Sequence, residues 1–440
     1  MENKSNLKYV LIGAGIRGRA YTKAAIEEHG CQVVAVADPN EATRNFVRDT
    51  YNVPQEMCFE SYEQLLSLGK IADFAMICTQ DKMHVAPALM AIEQGYDLLL
   101  EKPAAPTPEE CMQICKAAEA KGVRVLICHV LRYTQFFRTV KEIIDSGRIG
   151  KIMSIIHTEG VGNVHYSHSY VRGNWHNSKE SSNMLLAKSC HDLDILQWLI
   201  GGNCKKIQSF GGLHYFKKEN APEGAPKRCL DGCPHEKTCP YHVNKIYLPE
   251  EMFHFAEIAR PAAAKKVDPT DEEVRKALDT TNYGVCVFQS DNDVVDHQTV
   301  NMEFDNGETV VFTMAAFNFG TRRIRIMGTK GELSSEDMNN ITLNLFCEDD
   351  PTSEYFGKPR TMQIATSKPG FDQTIIGGHG GGDRGIVDDL CLYFGEDTKT
   401  KSISSIRTSI MNHMLVFAAE ESRATNTVVD VDEFVKKYNQ

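Results

Sequence analysis

Short apolar runs alternate with amphipathic stretches over the first 130 residues. The runs "KYVLIG" (8–13), "CQVVAVADPN" (31–40), "ADFAMICTQ" (72–80), "YDLLLEKP" (96–103) and "VRVLICHV" (123–130) read as strands buried on both faces. Helical patterns fill the gaps: from the glycine turn to about Gly30, from Glu41 to about Tyr51, over 84–95 and over 107–122. In the last of these, Thr107 predicts the N-cap, Pro108 the first turn and Gly122 the stop. This alternation predicts an α/β fold with a parallel sheet covered on both sides.

The texture changes after about residue 130. "YTQFFRTVKEIIDSG" predicts a helix closing on Gly147. "SSNMLLAKSCHDLDILQWLIGG" (181–202) reads as one long amphipathic helix. From about 296 to 346 the period falls to two, and "DNGET" signals a hairpin. This half predicts an open, mainly antiparallel sheet with one helix-covered face, whose other face needs a partner. Residues 216–275 are rich in Pro, Lys and Glu and read as an insertion. The expected division is a dinucleotide-binding domain over 1–130 and a substrate and oligomerisation domain over 131–440.

Net charge narrows the partners. At −11 over 440 residues the chain lacks the basic excess that nucleic acids and anionic membranes attract. No run nears the roughly 18 apolar residues of a membrane span, and no cationic leader precedes the first strand. A cytoplasmic protein is expected. Most of the fourteen cysteines sit inside apolar runs and read as reduced, buried thiols.

The chemistry starts at "GAGIRG", where Gly13, Gly15 and Gly18 follow a strand and open a helix at Ile16 and Arg17. Asp38 stands 20 residues past Gly18, at the end of the second strand. That context is the dinucleotide fingerprint: a tight turn, close approach to a pyrophosphate and an acid for the ribose hydroxyls. A carboxylate there repels a 2′-phosphate, so NAD is preferred to NADP, although Arg44 could soften the preference. Ligands of such sheets lie beyond the strands' carboxyl ends. This places Thr79, Gln80 and His84 at the cofactor, and Lys102 beside the nicotinamide. By spacing alone Lys102 reads equally as a solvated lysine, and His84 as a helix-start residue.

The run "VLIGAGIRGRA…VADPN…CTQDKMHVAPALMAIEQGYDLLLEKP", with "SGRIGKI", "CHDLDILQWLIGG" and "GGHGGGD", resembles the glucose–fructose oxidoreductase, inositol dehydrogenase and rhizopine-catabolism family. The resemblance covers nearly the whole chain. It implies a Rossmann domain, an α/β domain whose open sheet pairs into dimers or tetramers, and a carbohydrate substrate. The family's Glu-Lys-Pro motif matches Glu101, Lys102 and Pro103, and its lysine contacts substrate and nicotinamide. Its acid/base histidine matches His191, with Asp194 three residues on. The family's acid four residues before that histidine is Ala187 here. Lys188, expected one helical turn before His191, is the substitute considered. The loop "VHYSHSYVRGNWHNS" (164–178) offers His165, Tyr170, Arg172 and Trp175 to a sugar. His379 in "GGHGGGDRG" is a further candidate, and Asp383 is expected to cap the next helix.

Two enzymatic readings follow. One is an NAD-dependent oxidoreductase acting on a hydroxyl of a sugar, cyclitol or derivative. The other is a redox-neutral, NAD-dependent glycoside hydrolase working by transient oxidation and elimination. A non-enzymatic NAD sensor is disfavoured by Lys102 and His191. Cys229, Cys233 and Cys239, near His235 and His242, could hold zinc, but their C-x3-C-x5-C spacing is looser than paired C-x2-C motifs. No metal is assigned to the catalytic site.

Overall fold

The computed structural model describes residues 5–366, 380–395 and 405–439. Strands β1 (Lys8–Ile12), β2 (Gln32–Ala37), β3 (Cys58–Phe59), β4 (Phe74–Ile77), β5 (Asp97–Leu100) and β6 (Val125–Ile127) form a sheet ordered β3-β2-β1-β4-β5-β6. Every neighbouring pair is parallel. The order reverses between β1 and β4, which opens a crevice beyond the strand ends. Strand β3 was not expected: two residues carry no period, and pairing with Val36 and Ala37 defines it.

Helix limits follow the cap chemistry. The Glu110 N–H donates to Thr107 Oγ1 at 3.3 Å, and Gly122 ends that helix in the left-handed region. One cover for this sheet comes from the far end of the chain. Ile386, Val387, Leu390 and Phe394 of the helix Gly382–Phe394 share a core with Tyr9, Leu11, Phe74 and Met76.

The second sheet contains β7 (Ile152–Gly160), β8 (Cys204–Gly212), β9 (His297–Phe304), β10 (Thr309–Ala315), β11 (Thr321–Gly328), β12 (Gly331–Ser335), β13 (Asn340–Leu345), β14 (Arg360–Ala365) and β15 (Val429–Asp430). Their order is β14-β13-β12-β11-β7-β10-β9-β8-β15. Pairing is antiparallel except between β7 and β10. The DNG turn joins β9 to β10, with Gly307 at φ +88°. The helix Ile406–Thr425 packs on β8 and on the helix Cys190–Ile200, covering one face. On the other face Ile156 and Val311 are register partners and both are exposed, as are Met153 and Phe210.

The expected long helix over 181–202 is two helices. Met184–Ala187 ends at Lys188, and Cys190–Ile200 begins after Ser189. Lys188 and His191 are therefore not neighbours on one helical face. Apolar period alone does not reveal the break, because both pieces bury their residues almost completely. Between β8 and β9 the chain builds an arm with the helices Val243–Tyr247, His254–Ala264 and Asp271–Thr280 and a small core of its own. Among the described residues no helix is long and apolar enough to cross a membrane.

Candidate active site

The three glycines of the turn have different surroundings. Gly13 has φ +91°, and a Cβ there would lie 2.5 Å from the Cys78 carbonyl oxygen. A Cβ on Gly18 would lie 2.1 Å from the Gly13 carbonyl oxygen. Both positions are closed by backbone. A Cβ on Gly15 would meet nothing within 4 Å, at the start of the helix Ile16–His29 whose first N–H groups have no side-chain cap. That open, donor-rich corner fits a pyrophosphate. Gly18→Ala is expected to destabilise the fold; Gly15→Ala should keep the unfolding midpoint and weaken NAD binding by about tenfold or more. Thermal unfolding and NAD titration of both variants check this, and equal effects on both quantities would refute the division of roles.

Asp38 is mounted beside the turn. Its two carboxylate oxygens accept N–H bonds from Ala14 (2.7 Å) and Asn40 (2.8 Å). Arg44 folds back to donate to the Asp38 carbonyl. Arg17 points to Glu101 (2.9 Å) and Asp383 (2.6 Å), and Tyr21 donates to Glu101 at 2.8 Å. Burial alone would raise the Glu101 carboxyl; the Arg17 guanidinium holds it below the ordinary range. Arg17 and Glu101 thus brace the first helix against the end of β5. Asp383 does not cap its helix. Gly381 holds that position, and Asp383 lies in the first turn, facing Arg17.

His84 is a staple. One ring nitrogen lies 2.6 Å from the Pro103 carbonyl oxygen and the other 3.1 Å from that of Thr79. Thr79 Oγ1 donates to the Met83 carbonyl (3.0 Å). The turn carrying Lys102 and the cis Lys102–Pro103 bond is thereby tied to the end of β4. Gln80 is exposed and lines a cleft of about 330 Å³ with Arg172, Ser181 and Lys265.

The helix break explains where Lys102 goes. A helix end leaves carbonyls without partners, and Lys102 Nζ donates to that of Ala187 at 2.8 Å. The first sheet's lysine is thus fixed to the second domain at Ala187. Beside it, Lys188 Nζ lies 3.4 Å from Glu159 at the end of β7. Glu159 also pairs with Arg322 (2.7 Å), Arg322 with Asp192 (2.7 Å), and Asp192 with His157 (2.8 Å). Burial pulls the Lys188 ammonium below the ordinary lysine range, and Glu159 opposes that pull. A lysine with a lowered pKa can exchange a proton with substrate nearer neutrality.

His191 is buried and meets His129 edge to face, ring centroids 5.9 Å apart. His129 in turn meets His413 at 5.2 Å, and the Ala104 N–H donates to His413 Nε2 at 3.1 Å. Burial pushes His129 down to about 3, so its imidazole is neutral. Asp194 lies behind this row. It takes two bonds from Arg132 (2.6 and 2.7 Å) and one from Asn412.

The 164–178 segment is not an open loop. A helical turn, Asn163–Tyr166, runs into a π-helical turn, Ser167–Arg172. Tyr170 is buried between His165 and Trp175, with ring centroids at 6.0 and 6.2 Å, and burial raises its phenol well above the usual range. Trp175 Nε1 donates to Asp81 at 3.0 Å, and Ser181 and Ser182 also donate to Asp81. Arg172 instead turns toward the arm, donating to the Val285 and Tyr241 carbonyls. His379 lies outside the described residues.

Sequence reasoning missed Glu159, His129, His413 and Asp81. His129 and Asp81 follow strand ends, so the edge rule applied to Lys102 would have flagged both. His413 sits on a helix nearly 300 residues away, with no local sign of its neighbours.

Residues 7–129 match the model of an oxidoreductase family described as an NAD-binding Rossmann fold, and residues 141–431 match its C-terminal alpha/beta domain. The protein YteT of Bacillus subtilis is 24% identical over 346 residues, 77% of this chain and 76% of its own. The 2,7-anhydro-N-acetylneuraminate hydratase of Mediterraneibacter gnavus is 25% identical over 46% of this chain, which spans about half (52%) of that enzyme. An Agrobacterium radiobacter oxidoreductase solved with NAD+, L-tartaric acid and magnesium superposes with a TM-score of 0.67, 16% identity and coverage of 97% of this chain and 99% of that one. At that identity the likeness concerns the fold.

Proposed function

The chain belongs to the GFO/IDH/MocA oxidoreductase family, with an NAD-binding Rossmann domain, and from that premise we propose that it oxidises or reduces a hydroxyl-bearing carbon of a sugar, cyclitol or sugar derivative. The observation that carries this is Lys102, projected from the end of β5 and held on the Ala187 carbonyl, close enough to Lys188 for the two charges to interact. When bound, NAD supplies the hydride acceptor or donor. Lys102 orients the substrate hydroxyl and stabilises negative charge on its oxygen. His191 takes or returns the hydroxyl proton, and Lys188 with Glu159 occupies the place of the family's usual acid. Half-buried Trp175, backed by Tyr170 and tethered to Asp81, is the aromatic surface offered to a sugar ring. Incubating the purified protein with NAD and a panel of sugars and cyclitols tests the reading: NADH should accumulate with at least one.

A second reading is a redox-neutral reaction on the same site, with transient oxidation, elimination and return of the hydride. It is supported by Lys188 at the altered motif and by the similarity to an anhydro-sugar hydratase. Product release without net NADH would select it, and stoichiometric NADH would remove it.

Proton chemistry at Lys188 gives a directional expectation. Glu159 raises the Lys188 pKa against burial. Glu159→Gln should therefore lower it further and move the basic ionisation in the pH profile of kcat/KM to lower pH. An unmoved basic limb would show that Lys188 does not titrate in the reaction.

We also assign the exposed apolar face carrying Ile156 and Val311 to a second copy of the chain. A monomer by sedimentation would remove that assignment.

A further inference from the structure

The arm between β8 and β9 holds a group that the proposed reaction does not use. Cys229, Cys233 and Cys239 are close in sequence, and the fold brings a fourth cysteine, Cys286, to them. All four line one cavity and all four are free thiols. Two backbone bonds fix the arrangement: the Cys229 N–H donates to the Gly284 carbonyl (3.0 Å) and the Cys286 N–H to that of Lys227 (2.9 Å). The cavity has about 10 Å³ of room for the centre of a water-sized sphere, enough for one small guest.

The guanidinium of Arg172 is an independent sign. Arg172 lines this cavity and is 1% exposed. Its Nε donates to the Val285 carbonyl at 2.7 Å. Its Nη2 donates to the Tyr241 carbonyl at 2.9 Å and lies 3.6 Å from Cys229 Sγ. Its Nη1 is buried without a hydrogen-bond partner. Its partners are neutral carbonyls, a thiol and the Tyr247 phenol, and among the described residues no carboxylate pairs with this buried cation, an expensive arrangement. Thiolates are the anions this cavity can supply. The nearby histidines are turned to backbone: His235 Nε2 lies 2.8 Å from the Glu223 carbonyl oxygen, and His242 Nε2 lies 3.2 Å from that of Cys229. His242 Nδ1 also accepts the Asn244 N–H (3.3 Å), and the four sulfurs are the soft ligands of the cavity.

We propose that Cys229, Cys233, Cys239 and Cys286 form a tetrathiolate centre for a thiophilic metal, with Arg172 as its counter-charge. Binding a divalent ion releases four thiol protons and leaves two negative charges, which face the guanidinium. The chemistry fits zinc or an iron–sulfur cluster. Zinc bonds of about 2.3 Å place tetrahedral sulfurs roughly 3.8 Å apart. Among the described residues no three of these sulfurs lie within 4.8 Å of one another. Zinc would draw them inward; a four-iron cluster, with one cysteine per iron, takes a wider set but requires the cavity to open beyond one small guest.

The full chain, purified under argon and reconstituted with zinc or with iron and sulfide, tests this through metal and acid-labile sulfide per chain. One zinc, or iron and sulfide in equal amounts with visible absorbance, supports the centre and names its occupant. Cys233→Ser and Cys286→Ser should each cut metal content by about tenfold, while Cys347→Ser, at an exposed site outside the cavity, should not. The wild-type measurement stands even where a variant fails to fold. Metal-free protein with four readily titrated thiols after both reconstitutions would overturn the proposal.

Discussion

Lys102→Ala is expected to lower kcat by about 10²–10³-fold, the loss typical of removing one preorganised charge-stabilising donor. Lys102 is the cation that the first sheet projects across to the second domain, and its Nζ is held at 2.8 Å from the Ala187 carbonyl. In the proposed reaction it stabilises a developing oxyanion more than a neutral hydroxyl, so kcat should fall more than KM rises. Lys102→Arg should not restore activity, because a planar fork does not occupy the place of a compact ammonium. Circular dichroism and NAD titration serve as controls for folding and cofactor binding. Activity within about threefold of wild type on an identified substrate would remove Lys102 from the mechanism.

Asp194→Ala is expected to cost about 3–5 kcal/mol of stability, the range for breaking a buried ion pair from one side. Asp194 is fully buried and joins three elements: its own helix, the turn after β6 through Arg132, and the helix Ile406–Thr425 through Asn412. Its loss takes from the Arg132 guanidinium, 2% exposed, the carboxylate that receives two of its hydrogen bonds. Denaturant unfolding measures the change, and a loss below about 1 kcal/mol would contradict the accounting. Asp194→Leu combined with Arg132→Met should recover much of it. The pH dependence has a definite sign. Burial would raise the Asp194 carboxyl, but Arg132 holds it below the ordinary range. Its stabilisation is therefore present above the unfolded value, about 3.9, and is lost as pH falls toward the lower folded value. Acid unfolding of Asp194→Ala should lack that part of the slope.

Much of the frame was legible in the chain. Continuous apolar strands between helices specified a parallel sheet, because only burial on both faces tolerates them. The glycine spacing with Asp38 marked the dinucleotide turn, because the close approaches at Gly13 and Gly18 exclude any Cβ. The position of Lys102 followed from the strand that carries it. The break at Lys188–Ser189 was not legible, because both halves of the segment are apolar and buried and the period continues across it. Arg172 was read toward the sugar and instead turns into the arm, where carbonyls and thiols receive it.

By itself, then, the sequence determined what local rules can reach: which apolar runs of the first 130 residues are strands, where the glycine turn stands, and that a lysine follows β5. Local period and steric need act over a few residues. The tertiary structure alone decided the partners: Glu159 for Lys188, Asp383 for Arg17, His413 beside His129, and Cys286 for three distant thiols. Burial makes each of these groups seek a charge, a hydrogen bond or a ligand, and only the folded chain brings one within reach.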